Sequence, residues 1–287
     1  MSTNLYKTTA QVTFFSTVEK TLSFIYRIVL SRTIGAEGLG IYQIALSVFS
    51  VLLTAASSGV PVTVSRLITK QNALGNTAGK SAVVTAGIVS TLLFTVPVCA
   101  IIFGGQKIFG LLFSDGRCLE VFLIILPGLI LTSVYSVMRG AFWGDKQFMP
   151  YSLIELAEDA LMVGLGCALV AGAASAADGA RRAAIAVFIS YIFSFLVSLF
   201  WYFKKGGRLV NPKNQLKPLL SSSLPVTAMR TSTSLMNSLV AVLMPMLLVK
   251  MCKMTDGEAV SLYGIAAGMA VPILFIPSSL IGSIAVV

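Results

Sequence analysis

The feature that most constrains this chain is a succession of apolar stretches, each long enough to cross a bilayer, separated by short polar, Gly- or Pro-containing breaks. A hydrocarbon core about 30 Å thick is crossed by a helix of about 20 apolar residues. Such stretches lie near residues 10–33, 41–64, 81–103, 119–139, 149–171, 183–203, 222–249 and 263–287. They predict an all-α polytopic membrane protein with about eight transmembrane helices. The charged fraction agrees: it is 11%, with a mean hydropathy of +0.89 over 287 residues, where a soluble domain carries about a quarter. Little chain is left for a soluble domain, so function must reside among the helices. The first apolar stretch carries Glu19, Lys20 and Arg27. It therefore lacks the clean apolar core of a cleavable signal, and the chain is expected to keep Met1.

Several chemistries are excluded by residue type. Without histidine, there is no imidazole for a nucleophile system, a proton relay or a His-bearing zinc site. Cys99, Cys118, Cys167 and Cys252 are far apart and form no CxxC, so neither a metal site nor a disulfide framework is expected and the cysteines read as small apolar fillers. The run from Gly75 to Ser81 has three residues between its glycines where a phosphate-binding P-loop needs four, and a membrane span surrounds it. The run from Gly35 to Gly40 lacks dinucleotide-binding spacing and reads as the turn between the first two helices.

The net charge of +10 is explained by its distribution. One side of the predicted spans collects eleven basic residues: Lys7, Arg66, Lys70, Lys80, Arg139, Lys146, Lys204, Lys205, Arg208, Lys213 and Lys217. The other collects seven, Arg32, Lys107, Arg117, Arg181, Arg182, Lys250 and Lys253. Because basic residues favour the cytoplasmic side, the N-terminus is expected there. No nucleic-acid partner is needed to account for the charge.

An internal repeat suggests the organisation. Glu37 to Ala45 overlays Glu258 to Ala266 at an offset of 221, matching Glu, Tyr, Ile and Ala, and Ser57 and Ser58 then fall on Ser278 and Ser279. The second and eighth helices would correspond, which implies a unit of six helices in parallel copies, a transporter plan. The expected division is a first six-helix lobe over 1–205, a basic cytoplasmic linker over 206–217 and the start of a second lobe over 218–287. On that arithmetic Val287 falls inside an apolar stretch, as in a truncated fragment.

Polar residues inside the spans are the candidate site. Ser16, Lys20, Ser23, Arg27 and Ser31 share one face of the first helix. Gln43, Ser47, Ser50, Thr54, Ser57 and Pro61 share one of the second, and Thr227, Arg230, Thr231, Ser234, Asn237 and Ser238 mark the seventh. The fifth helix contributes Glu155, Glu158 and Asp159. Hydroxyl stripes can simply be helix-packing faces. Charges cost roughly 2.5 to 3.5 kcal/mol each near the bilayer centre, so they face a partner or a wet cavity. Buried structural ion pairs and a hydrated transport path both satisfy that requirement. Pro97, Pro127, Pro225, Pro245, Pro272 and Pro277 lie in or beside spans, where they would kink helices.

Three segments resemble a known family. The run from Phe24 to Gln43, the segment Ser58-Gly-Val-Pro61-Val-Thr-Val-Ser65-Arg66-Leu67, and the segment from Met138 to Pro150 around Arg139 and Trp143 are similar to the polysaccharide biosynthesis family that includes stage V sporulation protein B. Its superfamily contains multidrug exporters and flippases for lipid-linked sugars. The resemblance implies two lobes of helices around a central cavity, with alternating access moving an undecaprenyl-diphosphate-linked sugar to the outer leaflet of a bacterial-type plasma membrane. The first six-helix lobe and the first two helices of the second would then be MOP/MATE-like. The implied head-group cavity comprises Lys20, Arg27, Arg32, Arg66 and Arg230, with Ser23, Gln43 and Asn237. Cations suit a diphosphate, Arg by two-point contact. Relatives often read Gln, Glu, Gln and Arg where this chain has Glu155, Glu158, Asp159 and Met162. These acids could bind Na⁺ or H⁺ for coupling, or pair with the cations. No other cofactor and no metal site are implied, and the lipid-linked substrate, the bilayer and cell-wall synthesis enzymes are the expected partners. A cation-coupled multidrug exporter is the alternative, with an inactive truncated product and a membrane-embedded transferase behind it.

Overall fold

A computed structural model of the protein describes residues 2–212 and 215–271. The expectations resting on Lys213, Pro272, Pro277, Ser278, Ser279 and Val287 lie outside the described residues. Among the described residues all regular structure is helical. Helix α1 runs Ser2–Ser57, α2 Val60–Ala73, α3 Thr77–Gly104, α4 Gln106–Gly110 and α5 Gly116–Ile125. Then come α6 Gly128–Gly144, α7 Phe148–Val170, α8 Ala176–Lys204, α9 Leu216–Cys252 and α10 Asp256–Tyr263, which continues into a π-helical segment, Gly264–Ala270.

Four described helical stretches are long and apolar enough to cross a membrane: Thr13–Ala73, Thr77–Gly104, Ala176–Lys204 and Leu216–Cys252. A fifth is added if α5 and α6, bent by 44° on either side of Leu126 and Pro127, form one span. Helix α7 has 23 residues and carries Glu155, Glu158 and Asp159 among its apolar residues. Length and composition alone therefore count fewer spans than the eight expected. One reason is that Thr13–Ala73, with 61 residues, would measure about 90 Å if straight, about three times the hydrocarbon thickness.

The chain folds back within that stretch at a single residue. Gly35 has φ 70° and ψ −178°, a conformation open to glycine at little cost. Arg27 and Tyr42, one on each side of it, interact electrostatically, whereas in a straight helix they would stand about 22 Å apart. The expected turn from Gly35 to Gly40 is thus one residue long, and Glu37 to Gly40 are helical. Gly38 and Gly40 serve close packing: a Cβ on Gly38 would come within 2.9 Å of the Ala176 carbonyl oxygen, and one on Gly40 would overlap that of Val260.

A second interruption separates α1 from α2 at Ser58 and Gly59, with Pro61 in the first turn of α2 where its missing N–H is not needed. Here α9 comes so close that a Cβ on Gly59 would overlap the Ser223 carbonyl oxygen. Prolines lie inside helices at Pro97, Pro225 and Pro245, as expected. Helix α10 starts on a capping box. The Thr255 backbone N–H and hydroxyl both donate to Glu258, holding that carboxylate below its ordinary range.

The apolar core is divided along the bundle. One cluster gathers around Leu30, Leu39, Phe49, Phe122, Leu129 and Val187. The other gathers around Val64, Ile68, Val84, Met138, Ile154 and Leu219. The ion pairs outside the interior join residues that the sequence assigns to the same side. Lys80 pairs with Asp145 at 2.7 Å on one side. On the other, Arg117 bridges Glu37 at 2.7 Å and Asp115 at 2.6 Å, Arg181 meets Glu120, and Arg182 meets Asp178 at 2.9 Å.

Candidate functional site

Between the two apolar clusters the helices carry a polar waist. On α3 it holds Thr91 and Thr95, which follow Ala86 of one cluster and precede Cys99 of the other. On α6 it holds Thr132 and Ser133, between Leu129 and Val134, and on α8 Ser190 and Ser194 after Val187. All six are buried, and each hydroxyl donates to a carbonyl of its own helix. They are therefore satisfied without leaving the helix. Sequence reasoning did not single them out, although small hydroxyls at matching depths in otherwise apolar helices are a readable signal.

On α7 the waist is ionic, because Glu155, Glu158 and Asp159 occupy the stretch between Ile154 and Met162, which belong to opposite clusters. Arg139 of α6 reaches Glu155 at 3.3 Å and lies 5.5 Å from the centre of the Trp143 ring. Tyr151 lies beside both members of that pair, and Glu158 lies beside Ser194 of α8. Glu19 of α1 lies within electrostatic range of Glu155 and Asp159. The acids expected on the fifth helix are thus brought together, with Arg139 as a partner that sequence reasoning had placed in the flanking charge count. The signal for it is register. Arg139 and Glu155 each lie eight positions from Gln147, in the turn between antiparallel helices, so they meet across the hairpin. Among the described residues, no group of three or more acids or cysteines is arranged to hold a metal ion.

The expected cations are more dispersed. Arg27 is half-buried beside Tyr42 and Tyr263, which connects it to both arms of α1 and to the end of α10. Arg230 is exposed on α9, and its guanidinium donates to the Ser58 carbonyl at 3.4 Å. Next to it, Thr227 accepts from the Gly59 N–H at 3.1 Å. Two members of the α9 stripe therefore satisfy backbone groups released by the break between α1 and α2, as irregular backbone at membrane depth requires. One hydrogen bond still leaves most of the five guanidinium donors available. Lys20, Arg32, Arg66 and Asn237 are exposed, Ser23 and Gln43 partly so, and none of these six is joined to another by a hydrogen bond or ion pair. Ser47, Ser50, Thr54 and Ser57 donate to carbonyls of their own helix, which is the packing alternative for that stripe. Ser31 instead reaches the Met269 sulfur at 3.5 Å.

The segments Glu37 to Ala45 and Glu258 to Ala266, aligned above by sequence, pack against each other. Beyond Gly40 on Val260, a Cβ on Gly264 would overlap the Ala36 carbonyl oxygen, and one on Gly257 would come within 3.1 Å of a Glu37 carboxylate oxygen. Helices α1 and α10 thus make a close seam near the end of the bundle where Arg117 clasps Glu37.

Comparison with known proteins accords with this architecture. Stage V sporulation protein B of Bacillus subtilis (strain 168) is 26% identical over 227 residues, which are 74% of this chain and 43% of that protein. Lipid II flippase MurJ of the same organism is 25% identical over 174 residues, 57% of this chain and 32% of that protein. The chain thus spans less than half the length of these relatives. Among solved structures, the eukaryotic MATE transporter AtDTX14 superposes with a TM-score of 0.67 at 16% identity, covering 93% of this chain and 63% of that one. An inward-facing MATE family transporter of the MOP superfamily gives 0.65 at 18% identity, covering 91% and 60%. These likenesses establish the fold. A family described as polysaccharide biosynthesis protein matches residues 5–287, and the chain, a multi-pass membrane protein with a fold like that of the MATE transporters, therefore belongs to the polysaccharide biosynthesis protein family.

Proposed function

We propose that this chain belongs to a flippase that carries an undecaprenyl-diphosphate-linked sugar from the inner to the outer leaflet by alternating access. The observation that carries the reading is the family match over residues 5–287, with a lipid II flippase among the relatives. The geometry supports it. Arg27 lies beside Tyr42 and Arg230 beside Ser58, depths about 24 Å apart along that arm of α1. Neither has a carboxylate within ion-pair distance among the described residues, so each keeps donors that an anionic head group can meet in turn along its path. Only the diphosphate and sugar need a hydrated path, since the polyprenyl tail can remain in lipid. In this proposal residues 1–205 form the first lobe, 206–217 the linker and 218–287 the start of the second lobe. The N-terminus is cytoplasmic, and cell-wall synthesis enzymes supply or consume the substrate. The chain acts as a transporter and catalyses no covalent step.

A second reading, a cation-coupled multidrug exporter, is favoured by the acids of α7 with Glu19 and by the MATE fold. In it, Na⁺ or H⁺ exchanges at Glu155, Glu158 and Asp159. Proteoliposomes containing the full-length protein separate the two. Protected fluorescent lipid-linked sugar accumulating in the opposite leaflet supports the flippase. Its absence, together with dye efflux driven by an imposed Na⁺ or H⁺ gradient, selects the exporter.

A further inference from the structure

The basic-rich end of the bundle holds a second candidate site, separate from the charges discussed above. A cavity of about 530 Å³ opens between the start of α3, the end of α6, the end of α8 and the segment 206–212. That volume is within the range of about 300–1,000 Å³ usual for small-molecule sites. Thr77, Lys80 and Ser81 come from the first turns of α3, Tyr202 and Lys205 from the end of α8, and Arg208 from the segment that leads towards α9.

The charges in this cavity do not balance. The carboxylate among its lining residues, Asp145, is already engaged by Lys80 at 2.7 Å and by the Asn72 side-chain amide at 2.9 Å. Lys205 and Arg208 have no carboxylate within ion-pair distance among the described residues. The Lys205 ammonium instead lies 5.8 Å from the centre of the Trp201 ring. The start of α3, a helix of 28 residues, adds a positive helix end, but the ends of α6 and α8 face the same cavity with the opposite sign, so the net positive charge rests on Lys205 and Arg208. Asn76 accepts from the Gly79 N–H at 2.8 Å, while Thr77 and Ala78 of the same turn line the cavity.

The wall that carries Arg208 is fixed in place. Its carbonyl accepts from the Tyr202 hydroxyl at 3.1 Å, and the Val210 N–H donates to Thr85 at 3.1 Å. Arg208 is thereby held beside the start of α3. A P-loop is ruled out by the glycine spacing and the helical flanks, so any anion site here is built by side chains and a helix start.

We propose that this cavity binds a phosphate-bearing group, held by Lys205 and Arg208 against the beginning of α3. The inference is independent of the transport reading and concerns a different part of the molecule. The phosphate belongs either to a lipid head group or to a soluble phosphorylated molecule, and the two probes below separate these sources.

The test uses the purified full-length chain in a neutral detergent and titration calorimetry with two probes, dihexanoyl phosphatidylglycerol and inorganic phosphate. Saturable binding of at least one probe, weakened at least tenfold in Lys205→Gln/Arg208→Gln and changed less than twofold in Lys107→Gln/Lys250→Gln at the opposite end, is the expected result. Phosphatidylglycerol binding alone identifies a lipid head group. Binding of inorganic phosphate, with or without the lipid, identifies the phosphate itself as sufficient. No saturable binding of either probe, or equal binding by the Lys205→Gln/Arg208→Gln protein, overturns the proposal. Both substituted residues are exposed, and circular dichroism of the variant verifies that its fold is intact.

Discussion

Arg139 and Glu155 illustrate how charge is tolerated inside an apolar bundle. Each has polar partners, so removing one member costs more than the pair contributes, because the other is left uncompensated. Arg139→Ala is expected to lower stability by up to about 3 kcal/mol, with part of the loss recovered in Arg139→Ala/Glu155→Gln, measured by thermal unfolding in detergent. Arg27 differs, since its neighbours are Tyr42 and Tyr263 rather than carboxylates. Arg27→Ala is expected to abolish head-group transport while membrane insertion is kept, and unchanged transport would return Arg27 to a structural role. The face of α1 that bears Arg27 was legible from its spacing, whereas the partner of Glu155 was not. Finding it requires the position of a turn as well as periodicity. Once Gly35 and Gln147 are known as turning points, Arg27 with Tyr42 and Arg139 with Glu155 follow from counting outward.

Among the elements, the glycines of α1 and α10 set how closely these two helices approach. Gly40→Leu is expected to force α1 and α10 apart and cost about 1–3 kcal/mol, because backbone at Val260 stands where the side chain must go. Gly164→Ala in α7 has nothing within 4 Å of the new Cβ and is expected to stabilise by up to about 1 kcal/mol. The same thermal measurement distinguishes these opposite signs. Sequence alone read Gly38 and Gly40 as turn residues, since a glycine that admits a neighbouring backbone and one that permits a left-handed turn have the same composition signal. The broken span at Pro127 was partly legible, whereas the break at Ser58 falls inside a helix expected to run unbroken over 41–64. Proline marks where a helix can bend, but the backbone groups so released are satisfied by Thr227 and Arg230 of a distant helix.

For the whole molecule, the all-helical, multi-pass plan was readable because membrane thickness sets the length of apolar stretches, and the family resemblance gave the superfamily's helical fold, whereas the count of eight spans is not reached by the helices described. The cavity at the basic-rich end was not readable. It depends on how three helix ends and one connecting segment meet, which no local pattern encodes. The proposed orientation has a direct test in the native cysteines. Cys252 is exposed at the end of α9 beside Lys253, whereas Cys99 and Cys118 are buried. A membrane-impermeant maleimide added outside intact cells is expected to label Cys252 alone among these three. Labelling only after the cells are opened would invert the proposed topology.

The reversal at Gly35 also bears on how the protein is made. With one residue between the two arms of α1, neither arm can reach its final position independently of the other. The two arms are expected to pack as a hairpin only once the chain has been extended past Ser57 and the second arm has become helical. A reporter loop spliced in at Gly35 would separate those events, whereas the same loop at Gly206 would follow a hairpin already in place.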